Sequence, residues 1–499
     1  MLKRLGTGND LDHANPGRRS RLGGRLLLGG VLLLALGAGS VPLARQNPPQ
    51  PQRGNSYAPD STPSDLGLAG YAKVLCSAVF VSGRDPEEAF RNSGFFLMPE
   101  RDRPNVTKKV IDREKKLVSL SLSNGLSRTA KFHGDQGCII QQMDGRDIFF
   151  KPVPVKTTLP DASTTPWPMG DAESAEPISP EVDQARMKAA VDLAFADPNA
   201  LTAGMVIMYK GRIVAERYMP GITKDTQLES WSMGKSITST LIGVLVQQGA
   251  LKIGDPAPVP LWRKPGDPRG AIRTIDLLHM SSGLKFSGGA DPEEYPDHMR
   301  IYTGAIDVFD YSITRPVEYP PNTVGRYRNC DPLTLGYIVQ QTVRKRGEEY
   351  LTFPQRALFD KIGIRRQVLE TDPYGNLVMT GFDYGTPRNW ARIGLLYLQD
   401  GMFNGQRVLP AGWAKFVSTP APAWKERVYG GQFWVNGTGE WNLPMDAFFA
   451  AGGGGQYTFI VPSYDLVIVR MGHFRGVSAA AKTLRAAQSE IIASIRRKS

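Results

Sequence analysis

Residues 232–249 read SMGKSITSTLIGVLVQQG. Ile237, Leu241, Val244 and Leu245 recur at the spacing of one helical face, and Gly249 is a natural stop. The segment therefore reads as a helix with Ser232 and Lys235 at its start. Residues three apart share a face, so these two side chains can meet. A serine hydroxyl is a weak nucleophile until a neighbour takes its proton. A lysine can take it only when burial and nearby positive groups lower its pKa. The positive end of the helix dipole favours negative charge developing at the serine. Taken alone, S-x-x-K recurs by chance and equally describes a capped helix with a solvated lysine, so the flanking sequence has to decide.

Upstream, AGMVIMYKGRIVAERYM (203–219) reads as a hairpin turning at Lys210-Gly211. Far downstream, GGQFWVN (430–436), QYTFIV (456–461) and LVIVRM (466–471) are three further strands, the last two joined by Pro462-Ser463-Tyr464-Asp465. SPEVDQARMKAAVDLAFA starts a helix near Glu181, with proline and acidic residues in its first turn. The alanine-rich stretch from Ser478 to Arg497 forms another. Strands at both ends thus bracket a long helical middle. The expected class is α+β: an antiparallel sheet of about five strands, terminal helices on one face and the middle section on the other.

Three other segments bear on chemistry. Tyr327-Arg328-Asn329, in GRYRNCDPLTLGYIVQQ, precedes an apolar helical run. A tyrosine there can relay a proton, and an asparagine can hold a substrate carbonyl and the lysine; the same residues also suit an ordinary polar turn. Gly452-Gly453-Gly454-Gly455-Gln456 lets backbone approach a substrate. Amides after the glycines, at Gly454, Gly455 and Gln456, would form half of an oxyanion hole with the Ser232 amide; a plain glycine loop reads the same way. TIDLLHMSSGL (274–284) is a helix ending in a serine-glycine turn. His133, His279, His298 and His473 stand apart, and no spacing of His, Cys, Asp or Glu indicates a metal site. Trp390 and Arg392, in RNWARIGLLYL, sit at helical spacing and read as packing.

In order and context these pieces resemble the serine β-lactamase and penicillin-binding-protein superfamily. They are most similar to its class C branch of esterases, D-aminopeptidases and 6-aminohexanoate-oligomer hydrolases. The resemblance rests on SMGKS (232–236), the hairpin before it, TIDLLHMSSGL, YRN (327–329), GTPRNWARIGLLYLQDG (385–401) and GGGGQY (452–457), and spans about 180–499. It implies an acyl-enzyme at Ser232, Lys235 as base, Tyr327 as proton relay, substrate contacts from Asn329, Gly454, Gly455 and Gln456, no cofactor, and a small ester or amide substrate. One departure stands out. The superfamily's third motif places lysine or histidine, a hydroxyl residue and glycine where this chain has Gly453, Gly454 and Gly455. The missing cation argues against a β-lactamase or D-amino-acid peptidase and for neutral substrates. A catalytically silent cell-envelope binding protein is the alternative from another class; the retained Ser, Lys, Tyr and Asn argue against it.

The 499 residues suffice for two domains. The formal net charge is +12, but seven basic residues against two acidic ones lie within residues 1–45. The rest of the surplus is dispersed, which does not indicate nucleic-acid binding. Leu26–Ala44 carries no charge, follows several arginines and reads as an export signal or an uncleaved membrane anchor. Either reading puts the remainder outside the cytoplasm, periplasmic or held at the outer face of the inner membrane. The proline-rich residues 46–65 read as a linker. Residues 66–165 read as a small α+β domain of unassigned role, with strand–turn patterns at Asn124-Gly125 and Asp144-Gly145. A second linker, 152–180, leads into the domain at 180–499. Cys76 and Cys138 are expected to form a disulfide in an oxidising compartment, or else to be two buried thiols, and Cys330 is left over.

Overall fold

The computed structural model describes residues 62–98, 100–172, 177–287 and 297–496. The apolar segment 26–44 and the linker up to 61 lie outside them. Among the described residues no helix is long and apolar enough to cross a membrane.

Helix α1 (Pro63–Phe80) begins where Thr62 Oγ1 accepts the amide of Asp65 at 3.2 Å, with proline in the first turn. Residues 63–65, read from composition as linker, are thus the start of a helix, because a proline that lacks an amide donor fits the first turn. α1 lies across an antiparallel meander of β1 (Val106–Asp112), β2 (Leu117–Leu122), β3 (Ser127–Phe132) and β4 (Cys138–Ile140). Alternate residues Val118, Leu120 and Leu122 pack with Leu68, Ala72, Leu75 and Val79 of α1. A Cys76–Cys138 disulfide ties α1 to β4. The other side of α1 is also covered: Leu66 and Val74 belong to the core of the larger domain.

The larger domain runs α2 (Gln184–Ala194), β5 (Thr202–Tyr209), β6 (Arg212–Tyr218), β7 (Leu228–Glu229), α3 (Gly234–Gln247), α4 (Asp297–Thr303), α5 (Cys330–Lys345), β8 (Val368–Leu369), β9 (Asp383–Gly385), α6 (Pro387–Leu398), β10 (Trp434–Val435), β11 (Phe448–Gly452), β12 (Gln456–Val461), β13 (Leu466–Gly472) and α7 (Val477–Ala493), with shorter helices between. Its main sheet is antiparallel in the order β10-β11-β12-β13-β5-β6, the two-residue β10 extending the five principal strands. Both faces are covered. Met205, Ile207, Phe459 and Ile468 meet α2 and α7 through Met187, Val191, Leu484 and Ile491. Val206, Met208, Ile460 and Val467 face Ile237 and Leu241 of α3 and Trp390 and Ile393 of α6. That is the strand period of two sorting side chains between two cores, and it explains why β5 is apolar throughout.

A smaller antiparallel sheet, β7-β9-β8, lies beside α3 in sequence and carries chain into and out of the site. Residues 152–172, read as a linker, run as an ordered strap. Arg392 Nε donates to Pro168 O at 2.7 Å and its Nη2 to Gly170 O at 2.6 Å, while Arg365 holds Pro160 O and Met169 O. Proline-rich chain lacks amide donors but not carbonyls, and the guanidinium groups of the buried Arg392 and the half-buried Arg365 collect those carbonyls.

Candidate active site

Ser232 sits in the tight turn Trp231–Met233 immediately before α3. Trp231 adopts a left-handed backbone, φ +49°, a conformation that costs a non-glycine residue about 1–3 kcal/mol and is found where the surroundings enforce it. The turn leaves Ser232 half-buried while Lys235, one turn on, is fully buried. Lys235 Nζ lies 2.8 Å from Ser232 Oγ and 2.6 Å from Thr380 O. Burial holds its pKa well below the usual lysine range, opposed by the carboxylate of Asp383. An amine whose charged form burial disfavours, within hydrogen-bond distance of a serine hydroxyl, is a base poised to accept its proton.

Two tyrosines converge on the same hydroxyl. Tyr327 and Tyr302, the latter on α4, both stand close enough to Ser232 for its hydroxyl to pull their phenol pKa values down, against burial. Burial raises both phenol pKa values, so both keep their protons and act as donors. The Lys235 ammonium position is 4.9 Å above the Tyr327 ring centre. Tyr302 also donates to Thr380 O at 2.9 Å. One carbonyl, that of Thr380, therefore orients both the base and the second tyrosine. Tyr302 stands in DHMRIYT, a segment with no motif of its own, and only the tertiary fold brings it to Ser232.

Asn329 is placed differently from the sequence expectation. Its Oδ1 accepts from Thr380 Oγ1 at 2.7 Å, its Nδ2 is 2.6 Å from His298 Nδ1, and it is fully buried. Both ends of the amide are thus engaged, and Asn329 is tied to Thr380, whose carbonyl also receives Lys235. Burial, then the nearby Lys235, pulls His298 down to about 4. It is therefore neutral and able to accept the Asn329 amide.

The glycine stretch also shifts register. The strand position against the nucleophile is Gly452, where a Cβ would lie 2.0 Å from Ser230 O and 3.2 Å from Ser232 N. Gly454 and Gly455, with φ +84° and +77°, form the turn between β11 and β12. Their carbonyls accept from Arg470 Nη1 at 3.0 and 2.7 Å. Gln456 commits its whole amide to Gly472 of β13, at 2.5 and 2.8 Å. These contacts hold the hairpin turn. Arg470, a charged residue inside the strand LVIVRM, is the anchor that sequence reasoning passed over; burial lowers it to about 10.

A serine 2.8 Å from a buried amine, with two phenols beside it, invites comparison with known proteins, and the chain matches the family described as Beta-lactamase over residues 185–490. The chain belongs to the Beta-lactamase family. It is 23% identical over 304 residues to the 6-aminohexanoate-dimer hydrolase of Paenarthrobacter ureafaciens, covering 54% of this chain and 72% of that protein. It is 25% identical over 163 residues to a Beta-lactamase of Pseudomonas fluorescens, covering 32% of this chain and 42% of that one. In three dimensions it resembles a candidate 6-aminohexanoate-dimer hydrolase from Bacillus anthracis, with TM-score 0.51, 18% identity, and coverage of 70% of this chain and 92% of the other. The fold is therefore β-lactamase-like, and the chain is a hydrolase of that family related to 6-aminohexanoate-dimer hydrolase.

Within this Beta-lactamase-family site, Asp383 is an unusual neighbour. It is buried on β9, and a Cβ at Gly234 would fall 2.6 Å from its Oδ1, which accounts for glycine beside the lysine in SMGK. Burial pushes its carboxyl up to about 7, against the downward pull of Lys235 among others. Above that pH the carboxylate stabilises the Lys235 ammonium and so opposes the base. Asp383→Asn is expected to move the acid limb of the kcat/KM profile to lower pH by about one unit. Because the folded pKa of Asp383 is raised above the model-peptide value of 3.8, wild-type stability falls as pH rises from that value towards 7. The stability of the variant relative to wild type should increase across the same window. Unchanged limbs in the pH–rate profile would refute the coupling.

Proposed function

We propose that this protein is an exported serine hydrolase that acts through an acyl-enzyme at Ser232 on small uncharged esters or amides, of the 6-aminohexanoate-oligomer or carboxylate-ester type. The observation that carries the reading is the 2.8 Å contact between Ser232 and a Lys235 whose pKa burial lowers. Lys235 takes the Ser232 proton as Oγ bonds to the substrate carbonyl carbon. The carbonyl oxygen becomes an oxyanion that receives the Ser232 amide and the strand backbone at Gly452–Gly453. Tyr327, with Tyr302 beside it, gives a proton to the leaving alcohol or amine and regains one from the Lys235 ammonium as the C–O or C–N bond breaks. Water, deprotonated by the same base, then releases the acid and restores the serine.

Preference for neutral substrates is supported by where the cations go. Ala450 and Ala451 precede Gly452 on β11, so no basic side chain stands on that strand beside Ser232. Arg328, next to Tyr327, is fully buried and donates to Arg326 O, Leu284 O and Val324 O. Arg470 is committed to the glycine hairpin and Ala200 O. The wall beyond Tyr327 is aromatic, with Trp434 stacked at 5.6 Å and Tyr429 edge-on at 6.2 Å. Export is supported by the leader at 1–45 and by the Cys76–Cys138 disulfide, which suits an oxidising compartment.

A fluorophosphonate probe is expected to label Ser232 in the wild-type chain and nothing in Ser232→Ala, which should fold normally and turn over no substrate. The same protein should hydrolyse a p-nitrophenyl ester or a linear aminohexanoate amide better than nitrocefin. A lysine–carboxylate contact contributes about 1.5–3 kcal/mol, so its absence lowers kcat/KM for an anionic β-lactam roughly tenfold to a hundredfold. Labelling elsewhere, or nitrocefin as the best substrate, would overturn the assignment.

A further inference from the structure

The family match covers residues 185–490 and leaves the amino-terminal domain unassigned. That domain touches the small sheet β7-β9-β8 at two buried ion pairs, and each lies one short step from the catalytic groups. The first joins Lys73 of α1 to Glu370, which follows β8; both side chains are essentially inaccessible. Glu370 Oε1 also accepts from Ser77 Oγ at 2.8 Å and from the Cys138 amide at 2.7 Å. A Cβ on Gly137 would lie 2.3 Å from the Glu370 carboxylate, so glycine at that position is what lets the side chain enter. Every polar partner of this carboxylate among the described residues thus comes from the amino-terminal domain, from the two elements its disulfide ties together.

The backbone of Glu370 closes the loop that serves the base. Its amide donates to Phe382 O at 3.0 Å, and its carbonyl accepts from the Val378 amide at 2.9 Å. Between those ends stands Thr380, whose carbonyl receives Lys235 and Tyr302. Phe382 is held in a left-handed backbone, φ +55°. Lys73 Nζ sits 3.9 Å over its ring, and the ring packs 5.7 Å from Trp231 and 5.1 Å from Tyr302. The second pair is Arg84 with Glu229, three residues before Ser232. Arg84 Nη1 lies 3.1 Å from Glu229 Oε2, and Ser93 Oγ donates to Oε1 at 2.5 Å. Burial raises the Glu229 pKa, but Arg84 and the neighbouring donors outweigh it and hold the carboxyl at about 2.

We infer that the amino-terminal domain is a working part of the active site: Lys73 and Arg84 are positioning residues that clamp Glu370 and Glu229 and thereby set the Thr380 carbonyl, Tyr302 and the Ser232 turn. This rests on the reading of Ser232 as nucleophile and Lys235 as base. Buried pairs of this kind contribute little net stability over apolar packing but fix one geometry where they are retained for that purpose. Misplacement of a catalytic group by about 1 Å can cost on the order of a hundredfold in rate.

The test uses the full-length chain with the near-isosteric variants Glu370→Gln and Lys73→Met/Glu370→Gln. In both, the amide oxygen introduced at position 370 still accepts from Ser77 and Cys138, and the double variant leaves no buried charge unpaired. The rate of Ser232 labelling by a fluorophosphonate is followed against pH, beside p-nitrophenyl ester kinetics and thermal unfolding. The expected result is a labelling rate and kcat lowered roughly tenfold or more with KM little changed. The acid limb should also move to higher pH, as water reaching Lys235 raises its pKa. Wild-type labelling rates and an unmoved limb in the folded variants, whatever their melting temperatures, would overturn the inference and reduce the domain to a stabilising appendage. A wild-type chain that does not label at Ser232 at all would instead bring down the functional reading itself.

Discussion

Replacing Lys235 by methionine is expected to lower kcat by roughly 10²–10⁴-fold while raising stability near neutral pH. The loss follows from removing the only amine within reach of Ser232 Oγ among the described residues, at 2.8 Å, since a positioned general base contributes about that factor. KM should change little, because the contacts of the lysine are to the nucleophile and the Thr380 carbonyl. The gain has a separate cause. Burial depresses the folded-state pKa of Lys235 well below the ordinary lysine value of 10.5. The unfolded chain therefore binds a proton that the folded chain rejects, and wild-type stability falls as pH drops below the unfolded value and towards the folded one. Methionine, of similar length and apolar, carries no such cost. A base whose pKa is lowered at the expense of stability is the usual trade between activity and fold. Assays of ester hydrolysis and thermal unfolding at pH 6, 7 and 8 would show both effects. Retained turnover, or a melting temperature that falls on substitution, would mean that Lys235 is structural.

What could be read from the chain, and what could not, divides by the distance over which information acts. Ser232 and Lys235 were legible because one helical turn couples them, and the apolar helix that follows announces itself by period. The principal strands were legible because they are buried on both faces, so that TAGMVIMY and QYTFIV are apolar without alternation. The protein partners of Asn329 were not legible: the sequence marks it as a polar residue before a helix, while its amide meets Thr380 and His298, 51 and 31 residues away. Tyr302 and Asp383 were invisible for the same reason. Their side chains belong to a helix and a strand whose own patterns are ordinary, and the site exists only after β7, β8 and β9 pair. The glycines at 452–455 show a third kind of limit. Four identical residues carry no register, and which of them faces Ser232 is decided by the antiparallel pairing of Gly452 with Gln456.

That register makes Gly452→Ala the most informative backbone substitution in the molecule. Gly452 is not among the residues with positive φ, so alanine suffers no backbone conformational strain there. The methyl group, however, would be placed 2.0 Å from the carbonyl oxygen of Ser230 and 3.2 Å from the amide of Ser232. Both contacts are to main chain, which cannot swing aside as a flexible side chain would, so β11 and the nucleophile turn must part. The displaced groups are the Ser232 amide and the strand backbone beside it, the two donors assigned to the oxyanion. Losing one such donor costs about 10²–10³ in kcat, and that is the expected loss. Gly254→Ala is the matched control, since nothing lies within 4 Å of its added methyl and its φ is ordinary; it should leave kcat unchanged. Gly454→Ala separates the two glycine roles, because its penalty arises from φ +84° in the turn and should appear first as lost stability. Hydrolysis that survives Gly452→Ala but fails in a folded Gly454→Ala would place the oxyanion hole at the hairpin turn and displace it from the strand.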